Sequence, residues 1–256
     1  MADLQIHQFM CRSDNFGVLI HDADNNLTAT IDTPEIAAIE TALANTGWKL
    51  THILNTHHHG DHVEGNLPLK QKYGCTVVGP KGEAAKIPGL DIALGEGDVY
   101  TFGGYDIRAI ETPGHTAGQI NYYIPKAKVA FTGDTLFSLG CGRLFEKGAD
   151  SMWPALEKLM KLPGDTMIYC GHEYTLSNAK FALTIEPENA ALQQRAEDVS
   201  ALRAAGKPTL PVRLDLELAT NPFLRPSSPA IQSRLGMVGR PLWEIFGEIR
   251  ARKDKS

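Results

Sequence analysis

Seven consecutive residues, Thr56-His-His-His-Gly-Asp-His62, hold four histidines and an aspartate. Imidazole and carboxylate are the usual ligands of zinc, iron and manganese, so this stretch points first to a metal site. In extended backbone, side chains alternate with period two, which sends His57 and His59 to the same side. Asp61 and His62 follow Gly60, which is expected to break the chain direction, and they approach from elsewhere. Two differently aimed groups from one loop suit two ions better than one. A purification tag also gives a histidine run, but a tag is terminal and unbroken. This run is internal and contains a carboxylate.

Three later stretches share a grammar of strand, glycine turn, then a metal-type side chain. They are Ile110-Glu-Thr-Pro-Gly-His115, Phe131-Thr-Gly-Asp134 and Ile168-Tyr-Cys-Gly-His172. Taken singly, His115 reads as a hydrogen-bonded loop residue and Asp134 as a turn former. If the strands are neighbours, their loops converge on one sheet edge, where active sites commonly lie.

The elements that must position these groups are legible from pattern. Asn15 to His21 and Leu27 to Asp32 read as a hairpin around Asp24-Asn-Asn26. Thr33 is expected to cap a helix with Pro34 at its first position and Gly47 past its end. A short buried strand over Leu50 to Asn55 leads into the histidine cluster, and a helix over Asn66 to Tyr73 and a strand over Cys75 to Gly79 follow. Antiparallel pairs are expected across Asp98 to Ile110 and Gln119 to Thr132. A helix capped by Asp150 runs to Met160, and one more strand covers Thr166 to Cys170. Past residue 175 strand patterns thin out. Helices are expected over Glu188 to Ala205, with Pro187 at the start, and from Pro241 or Leu242 to Arg252.

With 256 residues the chain can bury a full core, and a net charge of −5 argues against broad nucleic-acid binding. No apolar run is long enough to span a membrane. The first residues, Met-Ala-Asp-Leu-Gln-Ile-His, lack the basic start and apolar core of a secretory leader, so a cytoplasmic protein is expected. Cys11, Cys75, Cys141 and Cys170 are widely spaced without a Cys-x-x-Cys pair, and reduced thiols are expected rather than a disulfide framework.

The His-x-His-x-Asp-His motif, with the later Gly-His-Thr, Gly-Asp-Thr and Cys-Gly-His-Glu-Tyr, resembles the metallo-β-lactamase superfamily. Gly133-Asp-Thr-Leu-Phe137, Gly140-Cys-Gly-Arg-Leu-Phe-Glu146, Cys170-Gly-His-Glu-Tyr-Thr175 and Asn221-Pro-Phe-Leu-Arg225 look like its hydroxyacylglutathione hydrolase (glyoxalase II) branch. The resemblance implies an α+β fold: an αββα sandwich of two mixed sheets flanked by helices over residues 1–174, with a small α-helical glutathione-binding domain over 175–256.

Carried across by position, it implies one metal held by His57, His59 and His115, and a second by Asp61, His62 and His172, with Asp134 bridging. Zinc is the first choice, with iron or manganese acceptable. The nucleophile would be a hydroxide bridging the ions, held among Asp134, Asp61 and His59. His58 occupies the variable position and should point away, while His7, His21 and His52 are expected to be structural. Asp32, ending its strand, is expected to accept from a ligand imidazole.

The implied reaction is hydrolysis of S-(2-hydroxyacyl)glutathione, S-D-lactoylglutathione in the family, to glutathione and D-lactate, the second step of methylglyoxal detoxification. A thiol of pKa about 8.5 leaves readily as thiolate, so no general acid is assigned. Glutathione contacts are implied at Arg143, Phe145, Tyr174, Arg250 and Lys253. Arg143 stands where lysine is common and Phe145 where some members have tyrosine. A monomer acting on a small molecule is expected. The alternatives are an iron-dependent persulfide dioxygenase, with a mononuclear 2-His-1-carboxylate site, or another thioesterase of this fold. A nuclease needs an inserted domain and a basic groove, and a non-catalytic binding protein needs a degenerate ligand set; neither feature is visible.

Overall fold

Residues 3–256 are described in a computed structural model of the chain. Met1 and Ala2, on which the leader reading partly rests, lie outside the described residues. The backbone divides into two compact units. The first runs to Glu111 and resumes over Ala117–Gly133; the second comprises Thr112–Thr116 and Asp134–Ser256.

The first unit opens with an antiparallel meander of β1 (Gln5–Cys11), β2 (Asn15–Asp22) and β3 (Leu27–Ile31). From β3 the chain switches to parallel pairing with β4 (His52–Leu54), β5 (Thr76–Pro80) and β6 (Ile92–Leu94). Parallel neighbours require crossovers. Helix α1 (Ile36–Thr46) supplies the first, and α2 (Gly60–Val63) with α3 (Asn66–Tyr73) the second. Ile39 and Leu43 of α1 and Leu69 of α3 pack with Leu19, Ile53 and Val77 of the sheet. Each such side chain contributes roughly 1.5–3 kcal/mol by leaving water.

β2 is buried along its whole length, as a strand covered on both faces must be. Its second cover is an antiparallel sheet in the order β10-β9-β8-β7, made of β7 (Val99–Phe102), β8 (Tyr105–Glu111), β9 (Ile120–Ile124) and β10 (Val129–Gly133). Buried Tyr122 of β9 crosses between the sheets and donates its hydroxyl to the Asn55 carbonyl at 2.7 Å. That bond pins the start of the histidine loop.

The second unit contains a two-stranded hairpin, β11 (Leu136–Phe137) with β12 (Gly140–Cys141), then α4 (Ala149–Met160). Strand β13 (Met167–Cys170) pairs with β14 (Val212–Arg213). Helices α5 (Thr175–Ile185) and α6 (Ala190–Ala204) lie between these strands in sequence, and α7 (Leu214–Thr220), α8 (Pro229–Leu235) and α9 (Leu242–Lys253) follow them. Trp153 of α4 meets Phe246 of α9 at 6.1 Å, and Phe223 joins Phe246 to Phe181.

The β11–β12 turn carries Leu139 at φ 55°, a left-handed conformation costly for leucine. A buried polar network holds it there. Glu217 accepts from the Leu139 amide, Arg195 pairs with Glu217, and Asn221 donates to the carbonyls of Phe137 and Gly140.

The αββα sandwich with a helical C-terminal region is the expected fold class, and the helix over Asn66–Tyr73 falls where the pattern put it. Several local expectations are corrected. Thr33 does not cap α1, whose N-cap is Glu35; its hydroxyl instead donates to Asn66 Oδ1 at 2.8 Å. Asp150 lies in the first turn of α4, behind Gly148 as cap. Asn189, rather than Pro187, starts α6, its side chain accepting from the Leu192 amide. Gly60 opens a helical turn instead of breaking the chain, and β1 had no clear sequence signal. Among the described residues no helix is long and apolar enough to cross a membrane.

Candidate metal centre

In the first unit, the donor-type side chains leave β4 on the loop 55–59 and the single helical turn after it. His57 is fully buried, and its Nε2 lies 3.1 Å from His59 Nδ1. In the helical turn, His62 Nε2 lies 3.6 Å from Asp61 Oδ2. The alternation argument for His57 and His59 therefore holds, and Asp61 and His62 aim differently because they sit on a helix.

His57 and His62 are tied from behind. His62 Nδ1 donates to Asp32 Oδ2 at 2.8 Å. His57 Nδ1 lies 3.0 Å from the Thr56 hydroxyl, which itself donates to the same Asp32 oxygen at 2.8 Å. Buried Asp32 thus orients two rings, directly and through Thr56, and leaves their Nε2 lone pairs facing forward. Asp32 accepts from an imidazole expected to be a ligand. Asn15 Nδ2 donates to Asp61 Oδ2 at 3.0 Å and fixes that carboxylate. His58 points away as expected, with its Nδ1 2.8 Å from Glu83. Gly133 has φ 45°, and a Cβ there would stand 2.6 Å from the Thr56 hydroxyl. Only glycine lets β10 end so close to this support.

In the second unit, Asp134 Oδ2 stands 3.4 Å from His115 Nε2 and 3.4 Å from His172 Nε2. His115 Nδ1 donates to the Arg143 carbonyl at 2.9 Å, so its Nε2 is again the forward atom. The His172 ring stacks on Tyr174 at 4.8 Å. Gly142 passes so near Asp134 that a Cβ would sit 1.9 Å from its carbonyl oxygen.

The donor spacing fits metal ligation. Two ligands each about 2.0–2.1 Å from a tetrahedral ion lie roughly 3.3 Å apart. The donor–donor distances of 3.1, 3.4, 3.4 and 3.6 Å within the two units bracket that value. All four cysteines are free and buried, and burial pushes the Cys141 thiol up to about 11.

The residues expected at a substrate site are all in the second unit. Phe145 is exposed with its ring 5.2 Å from that of His115, and Tyr174 is partly exposed on His172. The Arg143 side chain is 67% exposed. Arg250 is buried instead, donating to the Cys141 carbonyl at 2.8 Å, ion-paired with Asp254 at 2.9 Å and lying over the Phe223 ring. Lys253 donates to Ser177 Oγ at 3.1 Å; burial, with Arg250 and Arg143 nearby, pushes its ammonium below the usual lysine range. Thr56, Asn15, Glu83 and Asp254 were missed as site-supporting residues. Thr56 could have been found from adjacency to His57, whereas Asn15 and Glu83 reach the loop only through the fold.

The metallo-beta-lactamase superfamily pattern matches residues 28–172, and the hydroxyacylglutathione hydrolase C-terminus pattern matches residues 173–256. Fold and donor set together define a hydrolase of the metallo-β-lactamase superfamily, with histidine and aspartate groups suited to metal ions. Hydroxyacylglutathione hydrolases of Brucella ovis and Brucella abortus are each 59% identical over 251 residues, covering 98% of this chain and 98% of theirs. The chain belongs to the hydroxyacylglutathione hydrolase family. Among solved structures, ETHE1 from Myxococcus xanthus shares the fold, with TM-score 0.67 and 24% identity over 97% of this chain and 98% of that one.

Proposed function

We propose that this enzyme hydrolyses S-(2-hydroxyacyl)glutathione thioesters, S-D-lactoylglutathione among them, to glutathione and the hydroxy acid. The observation that carries the reading is Asp134 Oδ2 standing 3.4 Å from the Nε2 atoms of both His115 and His172, which lets one carboxylate share an ion with either imidazole. His57, His59 and His115 would hold one divalent ion, Asp61, His62 and His172 the other, and Asp134 both. Zinc suits these donors, and iron or manganese also fits. Bound together, such ions supply hydroxide at neutral pH and Lewis acidity toward a carbonyl oxygen.

The chain's own residues do the rest. Asp32, Thr56 and the Arg143 carbonyl hold the imidazoles in one tautomer and orientation. Asp134, Asp61 and His59 would keep the nucleophile against the thioester carbon. Tyr174 and Phe145, exposed beside His172 and His115, offer aromatic faces to the acyl and cysteinyl parts. Arg143 and Lys253, with Arg250 behind them, supply the positive charge a tripeptide carboxylate requires. The thiolate leaves without a proton donor. Residues 1–174 then form the catalytic part and 175–256 the part that adds substrate contacts. A monomer completes this reading, and four free thiols suit a reducing cytoplasm.

The test is turnover of lactoylglutathione with thiol release and oxygen uptake followed together. Thiol release that stops on chelation, returns with zinc and consumes no oxygen is expected. Oxygen uptake on glutathione persulfide without thioester cleavage would replace this reading with the dioxygenase.

A further inference from the structure

The end of α9 carries a charge that helix electrostatics disfavours. Asp254 is the C-cap residue, at the negative end of the helix, where cations rather than carboxylates are stabilised. Its Oδ1 takes two guanidinium partners, Arg250 at 2.9 Å and Arg143 at 3.9 Å. One carboxylate therefore lies between two guanidinium groups, while Lys253 turns to Ser177 and the Phe181 ring. The two arginine contacts differ in kind. Arg250 is buried and within hydrogen-bond reach, which fixes the helix end. Arg143 is 67% exposed and beyond hydrogen-bond range, so it feels the carboxylate as a charge and is not oriented by it.

We propose that Asp254 is a resident counter-anion, lying between Arg143 and Arg250 in place of a substrate carboxylate and setting how strongly the enzyme selects anionic thioesters over neutral ones. This rests on the glutathione reading above. A glutathione thioester brings two carboxylates and one ammonium. Its approach exchanges the loose Arg143–Asp254 contact for one to substrate, while the Arg250–Asp254 contact stays. Asp254 thus weakens ground-state binding of anions and keeps Arg143 from presenting uncompensated positive charge. It acts on affinity and not on the bond-breaking step.

The test is Asp254→Asn, which keeps an oxygen for Arg250 and removes the charge, with Asp254→Glu as the charge-preserving control. Two substrates are compared: lactoylglutathione and the lactoyl thioester of N-acetylcysteamine, which has no carboxylate. Asp254→Asn is expected to lower KM for lactoylglutathione about three- to fivefold, the scale of a partly exposed charge pair. The change should shrink at high salt, leave KM for the neutral thioester in place, and be absent in Asp254→Glu. An unchanged or raised KM for lactoylglutathione, or an equal fall for both substrates, overturns the inference alone when the wild type clearly prefers lactoylglutathione. A wild type that turns over both thioesters with equal kcat/KM overturns the glutathione reading and this inference with it.

Discussion

In the first unit, the ligand-type side chains are locked from behind: Asp32 holds His62 directly and His57 through Thr56, and Asn15 holds Asp61. The basic group of the second unit is built otherwise, with Arg143 exposed and 3.9 Å from Asp254 and Lys253 partly buried on Ser177. The difference suits what each is proposed to bind. Metal ligands need to stand within tenths of an ångström of one geometry, and His57, Asp61 and His62 have such support. A flexible tripeptide is met better by charge on long side chains that can follow it.

That contrast can be tested by mutation. The largest effect is expected from Asp134→Ala, which removes the carboxylate proposed to serve both ions; kcat/KM should fall by about 10⁴ or more, the range in which metal-assisted activation of water is lost. Next is Glu217→Ala. It leaves buried Arg195 and the Leu139 amide without their acceptor, and should cost about 3–5 kcal/mol in denaturant unfolding. Asp32→Ala removes only support from behind, and should cost about 10- to 100-fold in metal affinity or activity. If Asp32→Ala were silent, the locked half of the comparison would fail.

Arg143→Ala should raise KM for lactoylglutathione about tenfold with little change in kcat, as loss of one exposed charge-assisted contact does. A drop in kcat alone would place Arg143 in the chemistry and break the distinction drawn above. The smallest effect concerns Glu186. Burial raises its pKa, but hydrogen bonds from Arg225, Asn189 and Ser228 outweigh that and hold it below the ordinary 4.5. Its folded pKa is the lower one, so its stabilisation is fully present above pH 4.5 and lost as pH falls through the folded value. Glu186→Gln should flatten the acid limb of stability measured by urea midpoint between pH 5 and about 3.

The histidine and aspartate groups that could hold a metal were legible because metal chemistry restricts residue type and strand grammar restricts position. His57 and His59 followed from period two, and the glycine turns marked His115, Asp134 and His172. Asp32 was legible because it ends a strand beside the site. What stayed hidden depends on distant partners. Thr33 looked like a helix cap, yet its hydroxyl serves Asn66, thirty-three residues on, because a buried amide there needs a partner. Arg250 was expected to contact glutathione, and tertiary packing buries it against Phe223 and Cys141. The Arg195–Glu217 network has no local signature, since its members meet only after α6 and α7 fold together.

The most direct test is metal content of the purified enzyme by elemental analysis, in wild type and in Asp134→Ala. Two divalent ions per wild-type chain, reduced to one or none in Asp134→Ala along with thioester turnover, are predicted. A fully active wild type holding a single ion, or an Asp134→Ala enzyme that keeps both, would contradict the account.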